Sequence, residues 1–304
     1  MDGSRRAGRV AAVDGTQIVY EVCGAGPVMV LCNGFTTSSF FWKHLIPLWM
    51  QRFTVVTWDY RGHGLSDPAM PPGSASIPGF ADDLRCVLNA IGVESCILVG
   101  FSMGCQVALE ACRTMSPRIV AVVALFGGPG QMMTHALGPV GTVLHGVMRL
   151  TPKIVFAGAL RTLAFGIFRT GRLSYKLGQL LRLVGPDARY EDVKDYCEHI
   201  TRVDPATIAQ MGVAAEAYSA KDLLPVLTQP TLVVLGERDV FCTPSGKVGA
   251  SYQGISKLDL VCLHHGTHTS LFEHYAEIDD IVMSFLRQHS LYKAGPEALL
   301  KSAL

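Results

Sequence analysis

A serine set between glycines, in Gly100-Phe101-Ser102-Met103-Gly104, is the pattern in this 304-residue chain that carries the most chemistry. The G-x-S-x-G spacing is common by chance, and its weight here comes from its setting. The apolar run Cys96-Ile-Leu-Val99 leads straight into it, and a helix-patterned run from Met103 to Thr114 leads away. A serine on such a strand-turn-helix sits in a strained conformation that aims its hydroxyl outward. The first turn of the helix then offers N–H groups to a developing oxyanion. The flanking glycines suit a sharp turn, where a Cβ would crowd the neighbouring strand or helix. The alternative is a serine that only shapes the turn.

A hydroxyl is a weak nucleophile at neutral pH. Ser102 therefore needs a base within reach, and a carboxylate to fix that base's tautomer. Asp239 follows closely on the apolar run Thr231 to Leu235, in Gly236-Glu-Arg-Asp239, and functional residues collect at the carboxyl ends of parallel strands. Glu237 and Asp259 are its competitors. For the base, His264, His265 and His268 all follow the last apolar run, Leu258 to Leu263. His63, in Arg61-Gly62-His63-Gly64, reads as a turn residue. No histidine pairs with cysteine or carboxylate at metal-ligand spacing, so neither a metal nor another cofactor is expected.

The elements that position these residues follow from hydrophobic periodicity. Arg9 to Val13 and Gln17 to Val22 read as two strands joined through Asp14-Gly15, a hairpin-favouring pair. Six further apolar runs then alternate with helical patterns: Val28 to Cys32, Thr54 to Trp58, Cys96 to Val99, Ile119 to Leu125, Thr231 to Leu235 and Leu258 to Leu263. Continuous apolar runs imply strands buried on both faces. Phe80 to Ile91, Met103 to Thr114 and His274 to Gln288 carry apolar residues at helical spacing. The fold class is α/β, with a mostly parallel eight-stranded sheet flanked by helices.

The alternation stops from Pro129 to Ala220, where helix-like segments succeed one another. This predicts a helical cap at 129–220, inserted in a core made of 1–128 and 221–304. Between Gly128 and Tyr190 the chain holds eight basic residues (Arg149, Lys153, Arg161, Arg169, Arg172, Lys176, Arg182, Arg189) against one acid, Asp187. Ile154-Val-Phe156, Leu163-Ala-Phe165, Ile167-Phe168 and Leu180-Leu181 lie among them. Two readings stand: an insertion packed on the core with solvated charges, or a lid over an apolar substrate that also touches lipid surfaces. Ala294 to Leu304 reads as a peripheral tail.

Bulk composition bounds the rest. Apolar residues make up 49% and charged residues 17%, with a mean hydropathy of +0.30, which excludes a disordered chain. A net charge of +1 gives no field for nucleic acid, and no nucleic-acid motif is present, so no such partner is expected. The longest apolar run, Ile119 to Phe126, is far short of the roughly 20 residues of a membrane-spanning helix. No apolar stretch of signal-peptide length follows Met1-Asp-Gly-Ser-Arg-Arg, so no export is expected. The nine cysteines include no C-x-x-C pair, and several lie in apolar runs, Cys32 and Cys262 among them. Reduced core thiols and a cytoplasmic setting follow.

At these residues the sequence resembles the α/β-hydrolase fold family, over roughly residues 9 to 128 and 222 to 288. Besides the elbow, Asn33-Gly34-Phe35 stands where the family usually has His-Gly. Asp59-Tyr-Arg-Gly-His-Gly-Leu-Ser-Asp67 resembles its D-x-R-G-x-G-x-S loop, and Phe80-Ala-Asp-Asp-Leu84 resembles the helix that follows. The resemblance implies the chain order serine, acid, histidine, which selects Ser102, Asp239 and His268. The last lies in a G-x-H loop, Gly266-Thr267-His268, with Glu273 five residues on. It also implies an oxyanion hole made by the N–H groups of Phe35 and Met103. Two departures stand out: Asn33 replaces the usual histidine, and Cys105 replaces a second glycine.

The chemistry implied is attack of Ser102 on an acyl carbonyl, with water releasing the acyl-enzyme. A serine at the elbow argues against the alkyl-transfer members of the fold, which use aspartate there. The leading expectation is a carboxylesterase acting on a small, lipophilic ester. Carbon-carbon bond hydrolysis of a vinylogous diketone, acyl transfer and perhydrolysis run on the same triad and stay open. So does a ligand-sensing protein of slow turnover. Oligomeric state is not legible.

Overall fold

The computed structural model describes residues 5–71, 73–132, 170–242 and 247–292, with a few isolated positions between 134 and 166. Its strands are β1 (Arg6–Ala11), β2 (Gln17–Gly24), β3 (Val28–Cys32), β4 (Thr54–Trp58), β5 (Cys96–Phe101), β6 (Ile119–Leu125), β7 (Thr231–Gly236) and β8 (Leu258–Leu263). They form one sheet in the order β1-β2-β4-β3-β5-β6-β7-β8. The β1–β2 and β2–β4 pairs are antiparallel, and every pair from β4–β3 to β7–β8 is parallel.

β2, β5 and β7 run one or two residues past their predicted ends, and the first and last strands depart further from the sequence reading. The first strand starts at Arg6 rather than Arg9, and Val13 lies outside it. The Ala12 N–H donates to the Thr16 carbonyl, and the Thr16 N–H to the Asp14 carboxylate, so residues 12–16 are spent on the turn. The last strand is not buried on both faces, because β8 is an edge strand with Leu260 and Cys262 exposed. Cys262 is therefore not a core thiol. Cys86 is half-buried, and the other seven cysteines are buried.

Helices cover both faces of the sheet: α1 (Ile46–Trp49), α2 (Ile77–Ala90), α3 (Gly104–Met115), α4 (Gly171–Leu180), α5 (Tyr190–Ile200), α6 (Pro205–Ala217), α7 (Lys247–Ser251), α8 (Ser270–Glu273) and α9 (Tyr275–Gln288). The second of these begins three residues before the predicted Phe80. Ser76 caps it by accepting from the Gly79 N–H (3.2 Å), and Pro78 suits its first turn. One core layer joins Leu84, Val107 and Val87 of α2 and α3 to Leu98 and Val122 of the sheet. The other joins Trp49 of α1 and Ile278, Val282 and Leu286 of α9 to Leu31, Val99 and Val123.

Among the described residues three helices, α4 to α6, lie in the long connection between β6 and β7. At its stem Gly130 and Ser219 form an antiparallel bridge, and the Ala220 N–H donates to the Pro129 carbonyl (2.8 Å). Asp192 near the start of α5 is buried, ion-paired to Lys43 (3.3 Å) and hydrogen-bonded to His44 (2.9 Å) before α1. Arg149, Lys153, Arg161 and Arg169, the apolar segments 154–156, 163–165 and 167–168, and the tail 294–304 lie outside the described residues. Among the described residues no helix is long and apolar enough to cross a membrane.

Candidate active site

Parallel strands deliver their carboxyl ends to one edge of the sheet, and β3, β5, β7 and β8 each end there in a loop that carries part of the site. Ser102 sits between β5 and α3 at φ +53°, a left-handed conformation that a side chain adopts only when its surroundings enforce it. Its N–H donates to the Leu125 carbonyl (2.9 Å), and its carbonyl accepts from the Cys105 N–H (3.1 Å). The glycines are sterically required. A Cβ on Gly104 would lie 2.1 Å from the Cys32 carbonyl oxygen, and one on Gly100 2.5 Å from that of Gly104. Cys105 packs beneath this turn, donating its thiol to the Gly100 carbonyl (3.3 Å), and burial pushes that thiol up to about 12. It is a packing residue.

The structure brings Ser102, His268 and Asp239 into one chain of hydrogen bonds. His268 Nδ1 lies 2.9 Å from Asp239 Oδ2, and Nε2 lies 3.1 Å from Ser102 Oγ. A carboxylate offers only lone pairs, so Nδ1 carries the proton and Nε2 is left to accept from the serine hydroxyl. Asp239 is fully buried, and its other oxygen accepts from the N–H groups of Phe241 (2.7 Å) and Cys242 (3.1 Å). The imidazole is held between the rings of Phe101 (centroids 5.2 Å) and Phe241 (4.9 Å).

The competing groups face elsewhere. His264 Nδ1 pairs with Glu237 (2.9 Å), and His265 is also turned toward it (3.9 Å), all three being exposed. Asp259 is bonded to His289 (3.0 Å). These groups leave the serine to His268. His63 is buried in its turn, with Nδ1 3.2 Å from the Arg61 carbonyl, and burial holds its pKa down at about 4. Among the described residues two clusters have ligand atoms close enough for a metal ion: Glu237, His264 and His265, and Asp239, Cys242 and His268. In the second, the Cys242 thiol is pushed well up by burial and donates to the Phe126 carbonyl (3.3 Å), so it stays protonated.

On the opposite side of the serine lies the loop after β3. Asn33 is buried and braces it, donating to the Trp58 carbonyl (2.7 Å) and accepting from Trp42 Nε1 (2.9 Å). The side chain in the position of the usual histidine is thus a strut. Thr36, at φ +54°, bends the chain just after Phe35. Among the described residues neither the Phe35 nor the Met103 N–H has a hydrogen-bond acceptor, and both residues line the same cavity as Ser102. Two unspent donors beside a nucleophile are what an oxyanion requires.

That cavity has a volume of about 510 Å³ and apolar walls, supplied by Phe41, Phe101 and Phe272 and, from the connection between β6 and β7, by Leu177, Leu181 and Val193. Of the residues around it, Glu273 was singled out in the sequence and Gln106 was not. Glu273 accepts from Thr267 Oγ1 and Thr269 Oγ1 (2.7 Å), bracing the loop on either side of His268. Gln106, one helical turn beyond the serine, is buried against the cavity. An amide inside the otherwise small and apolar start of α3 was the available signal.

A family model described as alpha/beta hydrolase fold matches residues 27–275 of the chain. The chain is similar to an uncharacterized protein of Mycobacterium tuberculosis, 28% identical over 181 residues covering 57% of this chain and 51% of that protein. It thus spans about half the length of that relative. It is also similar to 2-(acetamidomethylene)succinate hydrolase of Mesorhizobium japonicum, 32% identical over 217 residues, 70% of this chain and 72% of that one. A solved structure of a hydrolase from Pseudomonas aeruginosa superposes with a TM-score of 0.74 at 23% identity, covering 92% of this chain and 98% of that one, a likeness of fold.

Proposed function

This chain belongs to the α/β-hydrolase fold family, and we propose that within it the protein is a serine hydrolase that cleaves a carboxylic ester of a small, lipophilic substrate. One observation carries the reading: the Ser102–His268–Asp239 hydrogen-bond chain opens on an apolar cavity. In the proposed mechanism His268 Nε2 takes the proton of Ser102 Oγ as that oxygen attacks the carbonyl carbon. The oxyanion is held by the N–H groups of Phe35 and Met103. The imidazolium then protonates the departing alkoxide, leaving an acyl-enzyme. Water, deprotonated by the same imidazole, attacks the acyl carbon and frees Ser102 and the acid. Asp239 holds the ring in its productive tautomer throughout.

We read 129–220 as a cap on a core of 1–128 and 221–304, on the support of the Gly130–Ser219 bridge at its stem. Exposed Leu173 and Leu180 on α4, beside Arg172 and Lys176, support a further proposal that this cap touches lipid surfaces. Buried, reduced cysteines support a cytoplasmic setting.

The test is hydrolysis of p-nitrophenyl esters of graded chain length by the wild type and by Ser102→Ala. The expected loss is on the order of 10³- to 10⁶-fold in kcat, with the fold unchanged by circular dichroism. A wild type no faster than the variant on every ester would sink the proposal and turn attention to ligand sensing.

A further inference from the structure

The cavity beside Ser102 is apolar, yet among the described residues one side-chain polar atom in its wall, besides the two N–H groups of the oxyanion hole, has nothing to bond. Gln106 is 1% exposed, and among the described residues its side-chain Oε1 is buried without a hydrogen-bond partner. Buried amides in native proteins are paired, and one left unpaired in a cavity wall is free to bond a group that enters the cavity. Other polar groups of the wall are occupied: Thr37 Oγ1 donates to the Gly34 carbonyl (3.2 Å), and Thr269 Oγ1 donates to Glu273 (2.7 Å).

The position of Gln106 says where that partner would lie. It follows Ser102 by four residues on the wall formed by α3, which sets the two about 6 Å apart along the helix direction. A second polar side chain, Glu216 near the end of α6, lines the same cavity, with its Oε1 accepting from the Thr134 N–H (2.9 Å). The elements carrying the two meet, because Glu110, one turn beyond Gln106, accepts from the hydroxyl of Tyr218, two residues past Glu216 (2.9 Å). One end of an otherwise greasy cavity is therefore polar.

We infer that Gln106 is the polar anchor of this cavity: its amide pairs with a hydroxyl or amide group borne on an otherwise apolar acyl chain, about four or five bonds from the carbonyl that Ser102 attacks. The inference rests on the serine-hydrolase reading for the direction of the acyl chain. It narrows the substrate from any lipophilic ester to an ester with a single polar group in the chain. A fully aliphatic acyl chain would leave the glutamine as unpaired in the complex as it is without ligand.

A matched pair of esters tests it. p-Nitrophenyl 4-acetamidobutanoate and p-nitrophenyl 6-methylheptanoate have the same shape, and the amide of the first is replaced by CH₂–CH(CH₃) in the second. The quantity read is the ratio of kcat/KM for the amide ester to that for its apolar twin. Gln106→Leu, close in volume and without polar atoms, is expected to lower this ratio about 10- to 100-fold. A ratio unchanged within twofold would overturn the inference while leaving the hydrolase reading in place. Should Gln106→Leu fail to fold, Gln106→Met serves with the same expectation.

The second arm does not depend on turnover. The ethyl esters of the same two acids are titrated calorimetrically into Ser102→Ala protein, with and without the Gln106 substitution. Tighter binding of the amide ester that disappears with Gln106 supports the anchor even if the wild type hydrolyses nothing, in which case only the hydrolase reading falls. Equal binding of the two esters overturns the anchor.

Discussion

The chemistry proposed for Ser102 depends on which nitrogen of His268 carries a proton, and that depends on one oxygen of Asp239. Oδ1 is spent on the N–H groups of Phe241 and Cys242, so it is Oδ2 that faces Nδ1. In Asp239→Asn the two N–H donors keep the amide oxygen where Oδ1 stood, and the new NH₂ points at the ring. Nδ1 must then accept, Nε2 carries the proton, and the serine hydroxyl loses its acceptor. The expected result is a fall in kcat of about 10⁴-fold with little change in melting temperature, measured on a p-nitrophenyl ester that the wild type turns over. A loss under tenfold would mean that Asp239 only packs. Ser102, Asp239 and His268 were legible because their neighbours are short motifs at strand ends. Gln106 was not, because its significance is the lack of a partner, and partners are a property of the fold.

Among the elements, those that the sequence made legible are the parallel strands and the helices between them. A strand buried on both faces must be a continuous apolar run, as in Ile119-Val-Ala-Val-Val-Ala-Leu125. What it hid was context: Leu258 to Leu263 has the same character yet lies at the sheet edge, and strand order follows from crossovers that no local pattern states. The docking of α5 was hidden for a similar reason, since Asp192 finds Lys43 and His44 some 148 residues away in sequence. On α4 the sequence pattern and the structure meet. Leu173 and Leu180 are exposed at 55% and 78%, on a helix that also bears Arg172 and Lys176. An apolar face fringed by cations suits an anionic bilayer, where each buried methylene contributes about 0.8 kcal/mol. Wild-type protein is therefore expected to float with vesicles containing phosphatidylglycerol. The double variant Leu173→Ser with Leu180→Ser is expected to bind at least tenfold more weakly. Wild type that stays at the bottom of the gradient, or a variant that floats equally, removes lipid contact from the proposal.

For the molecule as a whole, α5 meets the residues around β4 and α1 through two contacts that respond to acid in the same sense. Asp192 is held below the ordinary carboxylate value; burial opposes this, and it is outweighed by its bonds to His44, Arg189 and Lys43. The other contact is a ring pair, His63 from the turn after β4 and His199 from α5, with centroids 5.7 Å apart. Among the described residues neither Nε2 has a hydrogen-bond partner. Burial first, then for His63 the neighbouring His199 and for His199 the nearby Arg202, hold both rings down at about 4 against an ordinary 6.5. Between these values the unfolded chain takes up protons that the folded chain refuses. The contribution of this pair to stability is thus complete above pH 6.5 and is lost as the pH falls through about 4. For the fully buried His63 the effect is on the order of 3 kcal/mol, enough to lower the melting temperature by many degrees. Because the pair joins α5 to the core, the loss is expected first as detachment of that helix, seen as amide exchange in 190–200 rising near pH 5 while α9 stays protected. His199→Gln removes one of the two titrating rings and should flatten the pH dependence of melting between 6.5 and 4. An unaltered slope in that variant would mean that the acid sensitivity resides in carboxylates such as Asp192, whose protonation weakens the same docking from the other side.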